Sequence, residues 1–168
     1  TVSNGAISNS GTYNVAAGTI AAALTGASAN LTKTGSGTMT LSGANSYAGG
    51  TLVSVGTLQI GNGGATGSLS TSGAITNNAV LAFSRSNTVT QGTAFANAIS
   101  GSGSVVQNGT GGLLLGAGNT YAGATVVNGG GTGFVRIAAD SALGAAPGAA
   151  TAGHLILSNG ALVTIASF

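Results

Sequence analysis

Side chains that could carry out chemistry are few in this chain. Only 2% of the residues are charged, and the complete set is Lys33, Arg85, Arg136 and Asp140, with His154 as the single imidazole. A glycosidase needs two carboxylates beside the scissile bond, and a hydrolytic triad needs a histidine oriented by an acid near its nucleophile. One aspartate cannot supply the first, and no G-x-S-x-G sequence surrounds any serine. We therefore predict that this segment is not an enzyme and has no catalytic residues.

Binding chemistry is equally restricted. The chain has no cysteine, and His154 finds too few donors nearby for a metal site. No G-x-x-x-x-G-K-[ST] sequence cradles a phosphate, and three cations spread over 100 positions form no basic patch for nucleic acid. We expect no metal, no cofactor and no nucleic acid. The longest apolar stretch, residues 15–31, is interrupted by Gly, Thr, Ser and Asn, so the chain is not expected to span a membrane.

The most informative pattern is an internal repeat. Residues 31–55 return as residues 105–129, 74 positions later. Nine of the 25 aligned positions are identical, and they are glycines, small or apolar residues, one Asn, one Tyr and one Thr. Because no reactive group recurs, the repeat indicates shared architecture.

Apolar residues alternate with polar ones in short runs, which is typical of β-strands. The doublets are Met39/Leu41, Val53/Val55, Leu58/Ile60, Leu81/Phe83, Leu113/Leu115, Val135/Ile137, Leu155/Leu157 and Val163/Ile165. Five Asn-Gly pairs, at Asn4, Asn62, Asn108, Asn128 and Asn159, predict turns at positive φ. Only residues 140–146 could form a helical turn, with Asp140 as its cap.

Short strands joined by tight turns fit a sandwich, an antiparallel barrel or a solenoid. Aromatic residues make up only 4% of the chain, and the small side chains favour an all-β, right-handed parallel β-helix, in which like side chains stack in ladders. With coils of about 25 residues, one repeat corresponds to roughly three coils and the chain to about seven. We predict a single β-helical segment over residues 1–168, with no significant helix, that is a fragment of a longer protein. Residues 129–133 are expected to bulge from one corner.

Both copies fit the pattern G-x-G-x(3)-L-x-G-x-N-x-Y-x-G-x-T, apart from one glycine position of the second copy. The chain thereby resembles the passenger-associated transport repeats of autotransporters, the type V secreted proteins of Gram-negative bacteria. The repeat positions are Gly35, Gly37, Leu41, Asn45, Tyr47, Gly49 and Thr51, and Gly109, Gly111, Leu115, Asn119, Tyr121, Gly123 and Thr125. The resemblance implies a β-helical passenger that is exported through its own C-terminal outer-membrane β-barrel, absent from this chain, to the cell surface or the medium. In this family the repeats are proposed to help passenger folding and secretion.

Several repeat positions admit a structural or a binding role. Tyr47 and Tyr121 could contact a carbohydrate or a host ligand, but we favour a corner position with the hydroxyl bonded to backbone. We likewise interpret Asn45 and Asn119 as turn or internal ladder residues. Gln107 occupies the position of Lys33 in the second copy, so the architecture does not require the charge.

Two functional hypotheses follow. The first is a structural stalk segment of a surface-displayed passenger, which assists its own folding and outward secretion. The alternative is adhesion or self-association, in which the segment contacts a host surface or stacks end to end into fibres, because an open solenoid exposes its terminal strands.

Overall fold

The structure is a computed structural model that describes residues 5–95, 98–116, 118–146 and 152–164. It contains eighteen short strands. In chain order they are β1 Ala6–Ser8, β2 Thr12–Val15, β3 Gly18–Ile20, β4 Ala23–Thr25, β5 Asn30–Lys33, β6 Thr38–Leu41, β7 Thr51–Val53, β8 Thr57–Ile60, β9 Ile75–Asn77, β10 Val80–Phe83, β11 Val89–Thr90, β12 Ile99–Ser100, β13 Ser104–Gln107, β14 Gly112–Leu115, β15 Thr125–Val127, β16 Phe134–Ile137, β17 Leu155–Leu157 and β18 Ala161–Thr164.

Every pairing between these strands is parallel, and the strands form four sheets. The seven-stranded sheet has the order β17-β15-β13-β10-β8-β6-β3, and the five-stranded sheet has the order β12-β9-β7-β5-β2. The four-stranded sheet has the order β11-β14-β16-β18, and β1-β4 is two-stranded. Each strand pairs with a strand one turn before or after it in the chain, which is the topology of a parallel β-helix. The predicted fold is confirmed, with about six turns where the sequence suggested about seven.

The core lies inside the coil, where inward-facing side chains stack in rows. Met39, Leu58, Leu81 and Val105 are paired in register through the seven-stranded sheet, and none is more than 5% exposed. Fully burying an aliphatic side chain of this size contributes roughly 1.5–3 kcal/mol. The row therefore holds four successive turns together.

Five of the eight predicted apolar doublets are buried, and three are exposed in whole or in part. Val53 is buried, but Val55 follows the end of β7 and is 46% exposed, because the chain turns at that point. In the last turn Leu157 is 51% exposed, since no further strand among the described residues covers β17. Val163 is 37% exposed because it is in register with Arg136 on the outward face of β16, whereas Leu162 pairs with the buried Val135. Ile165 lies outside the described residues.

The turns depart from the sequence prediction in detail. A 3₁₀ turn forms at Asp140–Leu143, but Ala139 is its N-cap residue and no side chain caps it. Among the glycines of the five Asn-Gly pairs, Gly5 and Gly63 have positive φ, whereas Gly109, Gly129 and Gly160 do not; Asn4 itself lies outside the described residues. The expected bulge is present as an exposed turn, with Gly130 and Gly131 at positive φ.

The two copies of the repeat lie on different faces of the coil. β5 and β7 of the first copy belong to the five-stranded sheet, whereas their equivalents β13 and β15 belong to the seven-stranded sheet. β6 and β8 are in the seven-stranded sheet, and their equivalents β14 and β16 are in the four-stranded sheet. The step from one copy to the next thus covers three complete turns and then continues to the neighbouring sheet of the coil. The repeat exceeds the expected roughly three coils by one face because a turn takes fewer than 25 residues, 20 from Leu31 to Thr51 and 24 from Thr51 to Ile75.

Candidate functional site

The tyrosine of each copy is locked against the threonine four residues later. Tyr47 and Tyr121 are completely buried, and in both copies the phenol oxygen lies 2.6 Å from the threonine Oγ1, that of Thr51 or Thr125. Burial raises the pKa of each tyrosine to about 12, although the hydrogen bond to threonine offsets part of this effect. We expected the hydroxyl to bond to backbone; the structure gives it the repeat's own threonine in both copies, and at Tyr47 a backbone hydrogen bond at Ser70 as well. The sequence Tyr-x-Gly-x-Thr therefore acts as one unit.

The asparagine of each copy joins three successive turns. Asn45 Oδ1 accepts a hydrogen bond from Leu24 N at 2.8 Å, and its Nδ2 donates to Ser68 O at 2.7 Å. Asn119 Oδ1 accepts from Ile99 N at 2.9 Å, and its Nδ2 donates to Ala142 O at 2.8 Å. The backbone groups come from the preceding and the following turn, about 20 residues away on each side.

Lys33 and Gln107 perform the same task with different chemistry. Each is the buried last residue of its strand, and the two strands are equivalent. Each side chain donates to carbonyl groups at the corner that follows the strand, and Lys33 also reaches the turn above. Lys33 Nζ donates to Gly35 O and, at 3.0 Å, to Val55 O. Gln107 Nε2 donates to Gly111 O at 2.6 Å and to Gly109 O at 3.3 Å. Burial lowers the pKa of Lys33, so the common requirement is a buried N–H donor.

The repeat glycines are needed for space between turns. A Cβ atom at Gly35 or Gly37 would lie 2.9 Å from the Cβ of Ala16 or Ala17. A Cβ at Gly109 or Gly111 would lie closer than 3.0 Å to the backbone of the turn below, at Arg85 and Asn87. Gly49 and Gly123 are equally close to the backbone beneath them. None of these six glycines has positive φ, so close approach of two backbones is the physical reason for glycine here.

Leu41 and Leu115 complete the pattern as core residues. They lie at the ends of β6 and β14 and are 0% and 3% exposed. Apart from the glycines and these leucines, every repeat position makes a specific hydrogen bond to its own copy or to an adjacent turn. What recurs is a corner that fixes one turn upon the next.

Comparison with known families gives two matches to the passenger-associated transport repeat, at residues 31–60 and 105–132. Each match begins where a copy of the internal repeat begins. The first match continues beyond the predicted residue 55 to the end of β8. A relative, the adhesin BmaC autotransporter of Brucella suis biovar 1 (strain 1330), is 38% identical over 130 residues, which cover 60% of this chain and 4% of the relative. No solved structure matches the chain.

The resemblance inferred from the sequence motif is thus confirmed, and it links the corner geometry to autotransporter passengers. This chain spans only 4% of the length of that adhesin. The similarity therefore concerns one stretch of a much larger protein.

The charged residues are dispersed over the coil. Arg85 donates to Gly67 O at 2.6 Å and Ala65 O at 2.7 Å, and so fastens the glycine-rich loop before β9. His154 is half-buried, and its backbone oxygen accepts from Thr125 N. Within the described ranges, no group of three or more His, Cys, Asp or Glu residues could hold a metal ion. The same residues include no helix that is long and apolar enough to cross a membrane.

Sequence reasoning missed one contact at the second repeat. Gln91 forms a reciprocal amide pair with Asn119, at 2.7 Å and 3.1 Å, and also accepts from Gly116 N. Gln91 precedes the second copy, and the residue 74 positions earlier is Ala17, so the repeat gave no signal for this interaction. Only the stacking of turns, which brings residues 28 apart into contact, reveals it.

Proposed function

We propose that this chain is a structural stalk segment of an autotransporter passenger, and that it assists the folding and outward secretion of that passenger. The observation that carries the proposal is the corner shared by the two transport repeats. In each copy a buried asparagine bonds to the turn before it and to the turn after it. Such a corner favours the addition of one turn upon the next.

The physical contribution to export is the burial of one inward row at a time. Each docked turn removes several aliphatic side chains from water, worth roughly 1.5–3 kcal/mol apiece before the entropy of ordering the chain is subtracted. A folded turn outside the membrane must lose this contact free energy before its residues can return through a narrow pore. Stacking therefore biases movement outward.

This role implies the location and the partners. The segment would lie outside the outer membrane of a Gram-negative bacterium, at the cell surface or released into the medium. Its export partner would be the C-terminal outer-membrane β-barrel of its own polypeptide. We propose no catalytic activity and no cofactor for this segment.

The test is display of the complete passenger after replacement of two core residues. Leu113 and Leu115 face the interior, whereas Leu114 between them points outward and is half-buried. We expect Leu113→Asp combined with Leu115→Asp to reduce surface display strongly, because two carboxylates would enter the core. Leu114→Asp is the matched control and should be displayed normally. Normal display of the double variant would refute the proposed role.

The alternative function is adhesion or self-association. The relative bears the name of an adhesin, and the outermost strands β17 and β18 expose Leu157 and Val163. Both ends of the seven-stranded sheet are unpaired in the described residues, so copies stacked head to tail would continue it. Size-exclusion chromatography and electron microscopy of the 168-residue chain test self-association, and a discrete monomer without filaments would count against it. Binding of the purified chain to host cells tests adhesion.

A further inference from the structure

Two of the four sheets stop beneath a repeat asparagine. The two-stranded sheet ends at β4, and the five-stranded sheet ends at β12. Leu24 is the middle residue of β4, and Ile99 is the first residue of β12. In a longer sheet the backbone amide of each would have bonded to the next strand. It donates instead to the side chain of Asn45 or Asn119. The backbone of the following turn covers the rest of each edge, because Ser46 N donates to Leu24 O and Thr120 N donates to Ile99 O. The asparagine thus satisfies the one amide that the backbone of the next turn leaves open to another strand.

The other end of the same side chain faces the next turn. The Nδ2 atoms of Asn45 and Asn119 donate to Ser68 O and Ala142 O, each 23 residues further along the chain. Both asparagines are almost fully buried, at 5% and 3% exposure. A carboxamide can do this because it carries an acceptor and a donor on one planar group.

We infer that the asparagine of each repeat is a two-sided latch, in which Oδ1 closes the edge of one turn and Nδ2 independently holds the turn on the other side. This inference rests on the proposed function, and it assigns the stepwise docking of turns to one side chain per repeat. A partly exported passenger that has folded as far as a repeat presents a covered edge at this point. Because the copies lie on different faces, successive latches close different sheets.

The two halves of the latch can be separated by Asn45→Asp. The carboxylate keeps an acceptor for Leu24 N but has no donor for Ser68 O. Residue-resolved amide hydrogen exchange of the 168-residue chain at neutral pH measures how well the turn before Asn45 and the turn after it are each protected. The amide of Leu24 reports on the turn before, and the amide of Ser68, which donates to Gly43 O at 3.1 Å, reports on the turn after.

We expect the protection of Leu24 to match that of the wild type, and the protection of Ser68 to fall at least ~10-fold, since one lost buried hydrogen bond is worth about this factor. At acidic pH, where the new carboxyl group is protonated and can donate, Ser68 should regain its protection relative to the wild type at the same pH. Asn30→Asp is the matched control, because Asn30 is exposed and only accepts, from Gly50 N. It should leave both amides unchanged.

Asn119→Asp repeats the test should Asn45→Asp fail to fold at neutral pH, because Gln91 supports Asn119. Its reporters are Ile99 for the turn before and Ala145, which donates to Tyr121 O, for the turn after. Equal loss of protection on both sides, or loss on neither side, would overturn the inference. If the exchange pattern is as expected but the Leu113/Leu115 variant is displayed normally, the latch stands and the proposed role in secretion falls.

Discussion

Replacement of Lys33 by glutamine should leave the fold intact. It should also abolish the part of the pH dependence of stability that the Lys33 amine causes. Lys33 is completely buried, and its Nζ serves two carbonyl groups, Gly35 O and Val55 O. Gln107 fills the equivalent position with an amide. We therefore expect Lys33→Gln to unfold within about 1 kcal/mol of the wild type at pH 7. Lys33→Met, which leaves both carbonyls without this donor, should cost about 1–3 kcal/mol.

The sign of the pH effect follows from the lowered pKa of Lys33. Between this lowered pKa and the ordinary value of 10.5, the unfolded chain binds more protons than the folded chain. The free energy of unfolding therefore rises with pH in that window. Urea unfolding at a series of pH values from 7 to about 10 measures the slope, and Lys33→Gln should flatten it. A slope that survives in Lys33→Gln, or a glutamine variant as unstable as the methionine variant, would refute the reasoning.

Three further predictions concern the corners. Tyr47→Phe and Tyr121→Phe should each lower the free energy of unfolding by about 1 kcal/mol and by similar amounts, because their hydrogen bonds to threonine have the same length. In the wild type the free energy of unfolding should also fall above pH 10, because the tyrosines ionise in the unfolded chain before they do so in the folded chain, where their pKa is about 12. Urea unfolding at alkaline pH measures this fall. Gly111→Ala should destabilise by about 1–3 kcal/mol through collision with the turn below, whereas Gly64→Ala, which meets nothing within 4 Å, should be neutral in thermal unfolding. Val53→Ser should lower the melting temperature clearly, and Val55→Ser, at a site 46% exposed, should leave it nearly unchanged; equal effects at the two valines would contradict the observed end of β7.

Much of the fold could be predicted because the alternation of apolar and polar residues has one physical cause. In a coil with a closed interior, every second side chain of a strand must face inward, as Leu58 and Ile60 do in β8. The alternation does not identify the sheet, because each face of the coil obeys the same rule. Placement depends on the residues consumed at the corners, and these differ from turn to turn. The rotation of the second repeat by one face was therefore beyond the sequence pattern.

The repeat residues were visible in the sequence, but the reasons for their conservation between the two copies were only partly accessible. The Asn108-Gly109 pair suggested positive φ at Gly109, and the structure shows crowding against Arg85 instead. Crowding depends on what lies one turn below, some 20 residues away in sequence. The same distance hid the partners of Asn45. The replacement of Lys33 by Gln107 in the second copy, in contrast, was visible in the sequence, and the hydrogen bonds of Gln107 are consistent with a position that does not need the charge.

The position of the copies on different faces bears on what a transport repeat encodes. If the motif specified a place in the cross-section of the coil, both copies would have to occupy the same sheets, and they do not. The tyrosine–threonine bond, the asparagine bridge and the buried N–H donor are nevertheless present in both copies. The motif thus specifies a relation between consecutive turns. Such a unit can be inserted wherever a turn must be secured to its neighbours, since the tyrosine–threonine bond lies within the motif and the asparagine bonds to backbone groups of the adjacent turns, which any sequence supplies.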